Sequence, residues 1–135
     1  MTTPTTSIRL RPKLRAEIER IAKRRKRSFS EVVQNLLEEG VRMERCPGIY
    51  FAAEVSGREA KVQGTGLGVW EVIRDYKTNK GDVDQLRQML PHVGPAQLES
   101  ALRYCKLYPD EIDVEIEAND RAFEEGARTG VVIHA

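Results

Sequence analysis

Two arginines at alternate positions, Arg9 and Arg11, flank Leu10 and follow Ile8, with Ser7 in the same phase as the arginines. A guanidinium is a planar fork of donors that can bond O6 and N7 of guanine together, whereas a serine hydroxyl discriminates less. Period-two alternation predicts a strand over residues 5–11 with Ser7, Arg9 and Arg11 on one face and Ile8 and Leu10 on the other. A second group follows at Ser28, Phe29, Ser30 and Glu31. Ser28 can accept from the Glu31 amide and Glu31 can reach back, the pattern of a capping box. The free amides and the positive end of such a helix also suit a phosphate. The run Lys23 to Arg27 immediately precedes it. Lys26 and Arg27 could touch phosphate. The same run also reads as a solvated face, as a match to the negative end of a helix dipole, or as long-range attraction for an anion.

Other groupings carry less chemistry. Gly64-Thr65-Gly66-Leu67-Gly68 has neither the spacing of a dinucleotide fingerprint nor the Lys-Ser/Thr of a phosphate loop. Its glycines are expected to permit a tight strand-to-helix turn. His92 and His134 stand alone, so no metal site and no cofactor are expected, and no Ser/His/Asp or Cys/His set suggests an enzyme. Asp110, Glu111, Asp113, Glu115 and Glu117 are read as a helix start favoured by its dipole plus a solvated face. Cys46 and Cys105 lack CxxC spacing and are expected to be reduced thiols in a cytoplasmic protein. Cys105 falls on an apolar helix face, and Cys46 in a linker.

These groups sit in a chain of 135 residues with a net charge of +1 that hides a division. Residues 1–45 hold twelve Lys/Arg against six Asp/Glu, and residues 46–135 hold ten against fifteen. Such asymmetry suggests an anionic partner for one end and something else for the other. No apolar run approaches the roughly 20 residues that span a membrane, and Met1 to Thr6 lacks the apolar stretch of a signal peptide.

The elements that must position these residues can be read in order. After the strand, Pro12 fits a helix N-terminus, and Leu14, Ile18, Ile21 and Ala22 predict a helix over residues 13–26. Val32, Val33, Leu36, Leu37 and Val41 predict a second helix to about Glu44. Cys46-Pro47-Gly48 breaks it. A hairpin is expected around Ser56-Gly57, with Ile49 to Phe51 and Glu59 to Val62 as its arms. Helices then follow. One runs from Val69 to Tyr76, one is capped by Asp82 with Val83, Leu86, Met89 and Leu90 inward, and one from Pro95 carries Leu98, Leu102 and Cys105. The last, from Pro109, has Ile112, Ile116 and Phe123 inward and ends at Gly126. The tail Val131, Val132 and Ile133 is β-prone. Residues 82–107 have a helix-turn-helix outline, but Arg103 and Lys106 share the second helix with Glu99 in acidic surroundings.

A lone strand cannot satisfy its backbone, and 40 residues bury too little surface to fold alone. Two chains that pair their strands antiparallel remove both problems and present a ribbon that fits the DNA major groove. The stretches SIRLRP (7–12) and RSFSEVV (27–33), with a helix between, resemble the ribbon-helix-helix family of Arc, MetJ and CopG repressors over residues 5–44. The resemblance implies base contact by Ser7, Arg9 and Arg11. It implies phosphate contact by Ser28, Phe29 and Ser30, beside which Lys26 and Arg27 stand as further phosphate candidates although the family's loop between helices is not always on the DNA. The dimer core is expected to be Ile8, Leu10, Ile18, Leu36 and Leu37. The stretches REAKVQGTGLGVWEVI (58–73) and YPDEI (108–112) resemble a bacterial domain family of originally unknown function, antitoxin-like and found beside PIN-like toxins.

The expected fold is mainly α. It has an N-terminal ribbon-helix-helix forming an intertwined dimer over 1–45, and a hairpin-and-helices, helix-turn-helix-like domain over 46–135. The expected function is that of a VapB-type antitoxin that binds double-stranded operator DNA as a homodimer or higher homo-oligomer and represses its own operon. Its cognate PIN-like ribonuclease toxin would be held through Ile116, Phe123, Arg128, Val131, Val132 and Ile133. The alternative is a plain repressor whose second domain only dimerises or senses a ligand.

Overall fold

A computed structural model describes residues 3–128. Among these the chain is mainly helical, with six helices and one two-stranded antiparallel sheet, and it divides into two compact units, Met1–Arg42 and Met43–Ala135.

In the first unit, α1 spans Pro12–Arg25. Proline leads because its missing N–H would be unbonded there anyway. The helix ends on Lys26 in the left-handed region, φ 56°. The Arg27 amide donates to the Ala22 carbonyl at 3.0 Å and the Lys26 amide to Lys23 at 3.3 Å. This pair of bonds is the Schellman closure. Helix α2 spans Phe29–Arg45, and Ser28 Oγ accepts from the Glu31 amide at 3.1 Å, as its spacing predicts. The core is small: Ile18, Ala22 and Val32 are buried, with Leu10, Ile21, Phe29, Val33 and Leu36 packed around them.

Two features of the single chain bear on the expected dimer. Residues 3–11 form neither helix nor strand in the single chain. A strand needs a ladder partner, and no strand lies among the described residues of this unit. Of the expected dimer core, Ile18 is buried, Leu10 and Leu36 are half-buried, and Ile8 and Leu37 are exposed.

In the second unit, β1 (Ile49–Glu54) pairs with β2 (Gly57–Val62), from Ile49 opposite Val62 to Glu54 opposite Gly57. Val55 and Ser56 make the turn. Helices α3 (Val69–Thr78), α4 (Val83–Met89), α5 (Pro95–Leu107) and α6 (Pro109–Arg128) follow. Asp82 caps α4 by accepting from the Asp84 and Gln85 amides at 3.0 and 3.2 Å. The core gathers Ile49, Val62, Val72, Ile73, Leu86, Tyr104 and Ile112 from hairpin and helices. Tyr104, fully buried, packs edge-on to Phe51 with ring centroids 6.4 Å apart. Cys46 is also fully buried in this core.

Three expectations are corrected here. Val83 and Met89 face solvent, because α4 is two turns long and turns only Leu86 and part of Leu90 inward. Phe123 is 76% exposed although it shares a stripe with the buried Ile112. The stripe continues past the residues that cover it. Finally, α6 runs through Gly126 to Arg128 rather than stopping at the glycine.

Candidate nucleic-acid interface

Ser7, Arg9 and Arg11 are exposed on the segment that leads into α1. Arg11 caps that helix in extended conformation, φ −60° and ψ 142°. Ser28 and Ser30 are exposed at the start of α2, with Lys26 and Arg27 before them. Phe29 is half-buried: one side packs on the small core, and the Arg15 guanidinium lies 4.7 Å from its ring centroid. Phe29 thus anchors the end of α2. Arg15 was not expected in this role, since residues 14 positions apart share no local pattern.

Within one chain the two groups flank α1. Its 14 residues span about 21 Å, so the arginines at its start and the serines beyond its end do not converge. The ion pairs nearby, Arg27 with Glu31 at 3.7 Å and Arg15 with Glu19 at 3.1 Å, are exposed. Exposed pairs contribute little and yield readily to a phosphate.

The second unit offers other chemistry. Three amides of the glycine loop are taken up locally: Thr65 N donates to Val62 O, Leu67 N to Thr65 Oγ1 and Gly68 N to Glu71 Oε1. That leaves a closed turn rather than a phosphate cradle. On α6, Glu111 accepts from the Tyr104 hydroxyl, and Asp113 pairs with Lys77 at 3.2 Å. Among the described residues no group of three or more His, Cys, Asp or Glu is placed to hold a metal ion, and no helix is long and apolar enough to cross a membrane. On α5, Arg103 and Lys106 are exposed beside Glu99, Glu44 and Arg45.

Trp70 and Glu59 were not singled out by pattern. The Trp70 indole N–H donates to the Glu59 carboxylate, and the Arg74 guanidinium lies 5.1 Å from the ring. Burial pushes the Glu59 carboxyl above its ordinary value, opposed by that hydrogen bond and by Lys61.

Of the residues expected to hold a toxin, Ile116 packs against the core of the second unit and Phe123 is exposed. Arg128 ends α6, while Val131, Val132 and Ile133 lie outside the described residues.

No family model matches this chain, and no curated protein and no solved structure was found to be similar to it.

Proposed function

We propose that this chain is a DNA-binding antitoxin. On this reading it binds its operator as a dimer through residues 1–45, represses its own operon, and neutralises a PIN-like ribonuclease through the second unit. It acts by binding and carries out no reaction. The observation that carries the reading is the surface of the first unit. Ile8, Leu14, Leu37 and Val41 are between 46% and 68% exposed, around a core of three buried side chains among the described residues. A unit this small with this much apolar surface gains most by sharing it with a second copy. Pairing two 5–11 segments would satisfy their backbone, bring Ile8 and Leu37 under cover, and turn Ser7, Arg9 and Arg11 outward as a ribbon for the major groove. The α2 N-terminus, with Ser28 and Ser30 exposed, would hold a phosphate on either side.

The exposed Phe123 on an acidic, uncovered helix end supports α6 as the toxin contact. Arg128 and the 131–133 tail complete that contact in the proposal, the tail by adding a strand to the toxin's sheet edge.

The test is a mobility-shift titration of the chain on DNA from its own promoter. Arg9→Ala should cost about 1–3 kcal/mol on the specific site and relax specificity, while Lys26→Ala should weaken all sequences alike. Unchanged operator affinity in Arg9→Ala overturns the DNA reading. Unchanged toxin neutralisation after deletion of residues 126–135 removes the tail from the mechanism.

A further inference from the structure

A groove of about 700 Å³ opens in the second unit between the hairpin and α6. Its floor is a stripe of Val114, Ala118 and Ala122, all exposed, with Val114 at 60%. Trp70 lines the groove as well. Asp110, Glu111, Glu115 and Glu59 line the groove against one cation, Arg58, whose guanidinium also donates to the Phe51 carbonyl at 3.3 Å. An apolar floor inside an acidic frame selects a segment that is both apolar and cationic.

This chain contains such a segment. From Thr3 to Ala16 there is no carboxylate, while Arg9, Arg11, Lys13 and Arg15 are all cationic. Ile8, 68% exposed, and Leu10 alternate with the first two. The dimensions also match. Extended, Ser7 to Arg11 spans about 13 Å and places Ile8 and Leu10 about 6.6 Å apart. The floor from Val114 to Ala122 is about 12 Å long, with side chains about 6 Å apart. The charges match at the scale of the chain as well, since the first 45 residues are net basic and the rest net acidic.

We infer that the hairpin–α6 groove receives the N-terminal segment of a second copy of this chain, with Ile8 and Leu10 on the Val114–Ala122 floor and Arg9 and Arg11 against Asp110 and Glu115. The segment that would pair as the DNA-reading ribbon is then sequestered when no DNA is present, so that the groove competes with ribbon pairing and operator DNA, which holds the paired ribbon, draws the segment out. This regulatory consequence rests on the DNA reading above; the docking does not.

Trp70 is the chain's single tryptophan and lines the groove, so its emission reports occupancy. A synthetic peptide of residues 3–13 is titrated into the full-length Arg9→Ala/Arg11→Ala chain, whose own segment no longer competes. A saturable emission shift is expected. It should weaken about tenfold or more in Asp110→Lys/Glu115→Lys, and be lost in about 0.5 M salt. It should also be lost in Ala118→Glu, which keeps the acidic frame but fills the floor. No shift overturns the docking, and so does unchanged binding to Ala118→Glu, which would mean charge attraction without seating. In the unaltered chain the same shift should grow with protein concentration, alongside a rise in sedimenting mass. A concentration-independent shift means the chain's own segment occupies the groove and overturns the second-copy assignment. Promoter DNA should reverse the shift. Docking that DNA does not reverse overturns the competition and counts against the DNA reading. DNA binding without peptide binding overturns the docking alone.

Discussion

Lys26 holds a left-handed backbone, φ 56°, at a position where glycine closes most helices of this kind. An L-residue there costs on the order of 1–2 kcal/mol. A lysine kept at that cost is explained if its charge is used, and the proposed phosphate contact supplies the use. Lys26→Gly should therefore raise the stability of the first unit by about 0.5–1 kcal/mol in chemical denaturation, because relief of strain outweighs the added freedom of the unfolded chain. The same variant should lower DNA affinity equally for all sequences. Glu59 makes a different test. A carboxyl whose pKa rises on folding favours the folded state while protonated. That contribution is full below the ordinary value of 4.5 and fades as pH climbs through the raised one. Glu59→Gln keeps an acceptor for the Trp70 indole and removes the partly desolvated charge. It should melt above the parent near pH 7 and level with it below about pH 4, because the parent carboxyl is then protonated too.

At the scale of elements, the two halves of α6 behave differently. Ile112 is fully buried, so Ile112→Ala should cost about 2–5 kcal/mol of stability. Phe123, on the same stripe, is exposed, and Phe123→Ala should stay within about 0.5 kcal/mol. Thermal melts of the two variants separate a structural residue from one free to meet a partner. The break at Gly48 is also specific. Its φ is +93°, and a Cβ there would stand 2.6 Å from Ser100 Oγ, which bonds the Pro47 and Ala96 carbonyls. Gly48→Ala should cost about 1–3 kcal/mol. Helix starts were legible in the sequence because Pro12, Ser28, Asp82, Pro95 and Pro109 each act on their own first turn. The hairpin was legible because alternation and turn residues are local as well. What could not be read is set by length and cover. The inward side of α4 depends on how much of it the core reaches. The exposure of Phe123 depends on where its neighbours stop, and Gly126 is outweighed by the turns before it. The groove escaped for the same reason, since Trp70, Arg58 and Val114 share no spacing and meet only through the fold.

At the scale of the whole molecule, the two units rest on unequal cores, three buried side chains in one and thirteen in the other among the described residues. Calorimetry of the full chain should therefore resolve two transitions. The lower one, from the first unit, should climb with protein concentration if that unit is completed by a second copy. The upper one should stay fixed. Two concentration-independent transitions would remove the dimer from the proposal. The cysteines give the second unit a clock of its own. Cys46 is sealed in the core, while Cys105 is half-buried with its thiol pushed up by desolvation. An alkylating reagent should reach Cys105 slowly through the intact fold, because little of that thiol is ionised. Cys46 should be labelled only at moments when the core around it parts. The lag between first and second label, read by mass spectrometry, is then a direct count of how often this half of the molecule opens, and a bound partner should lengthen it.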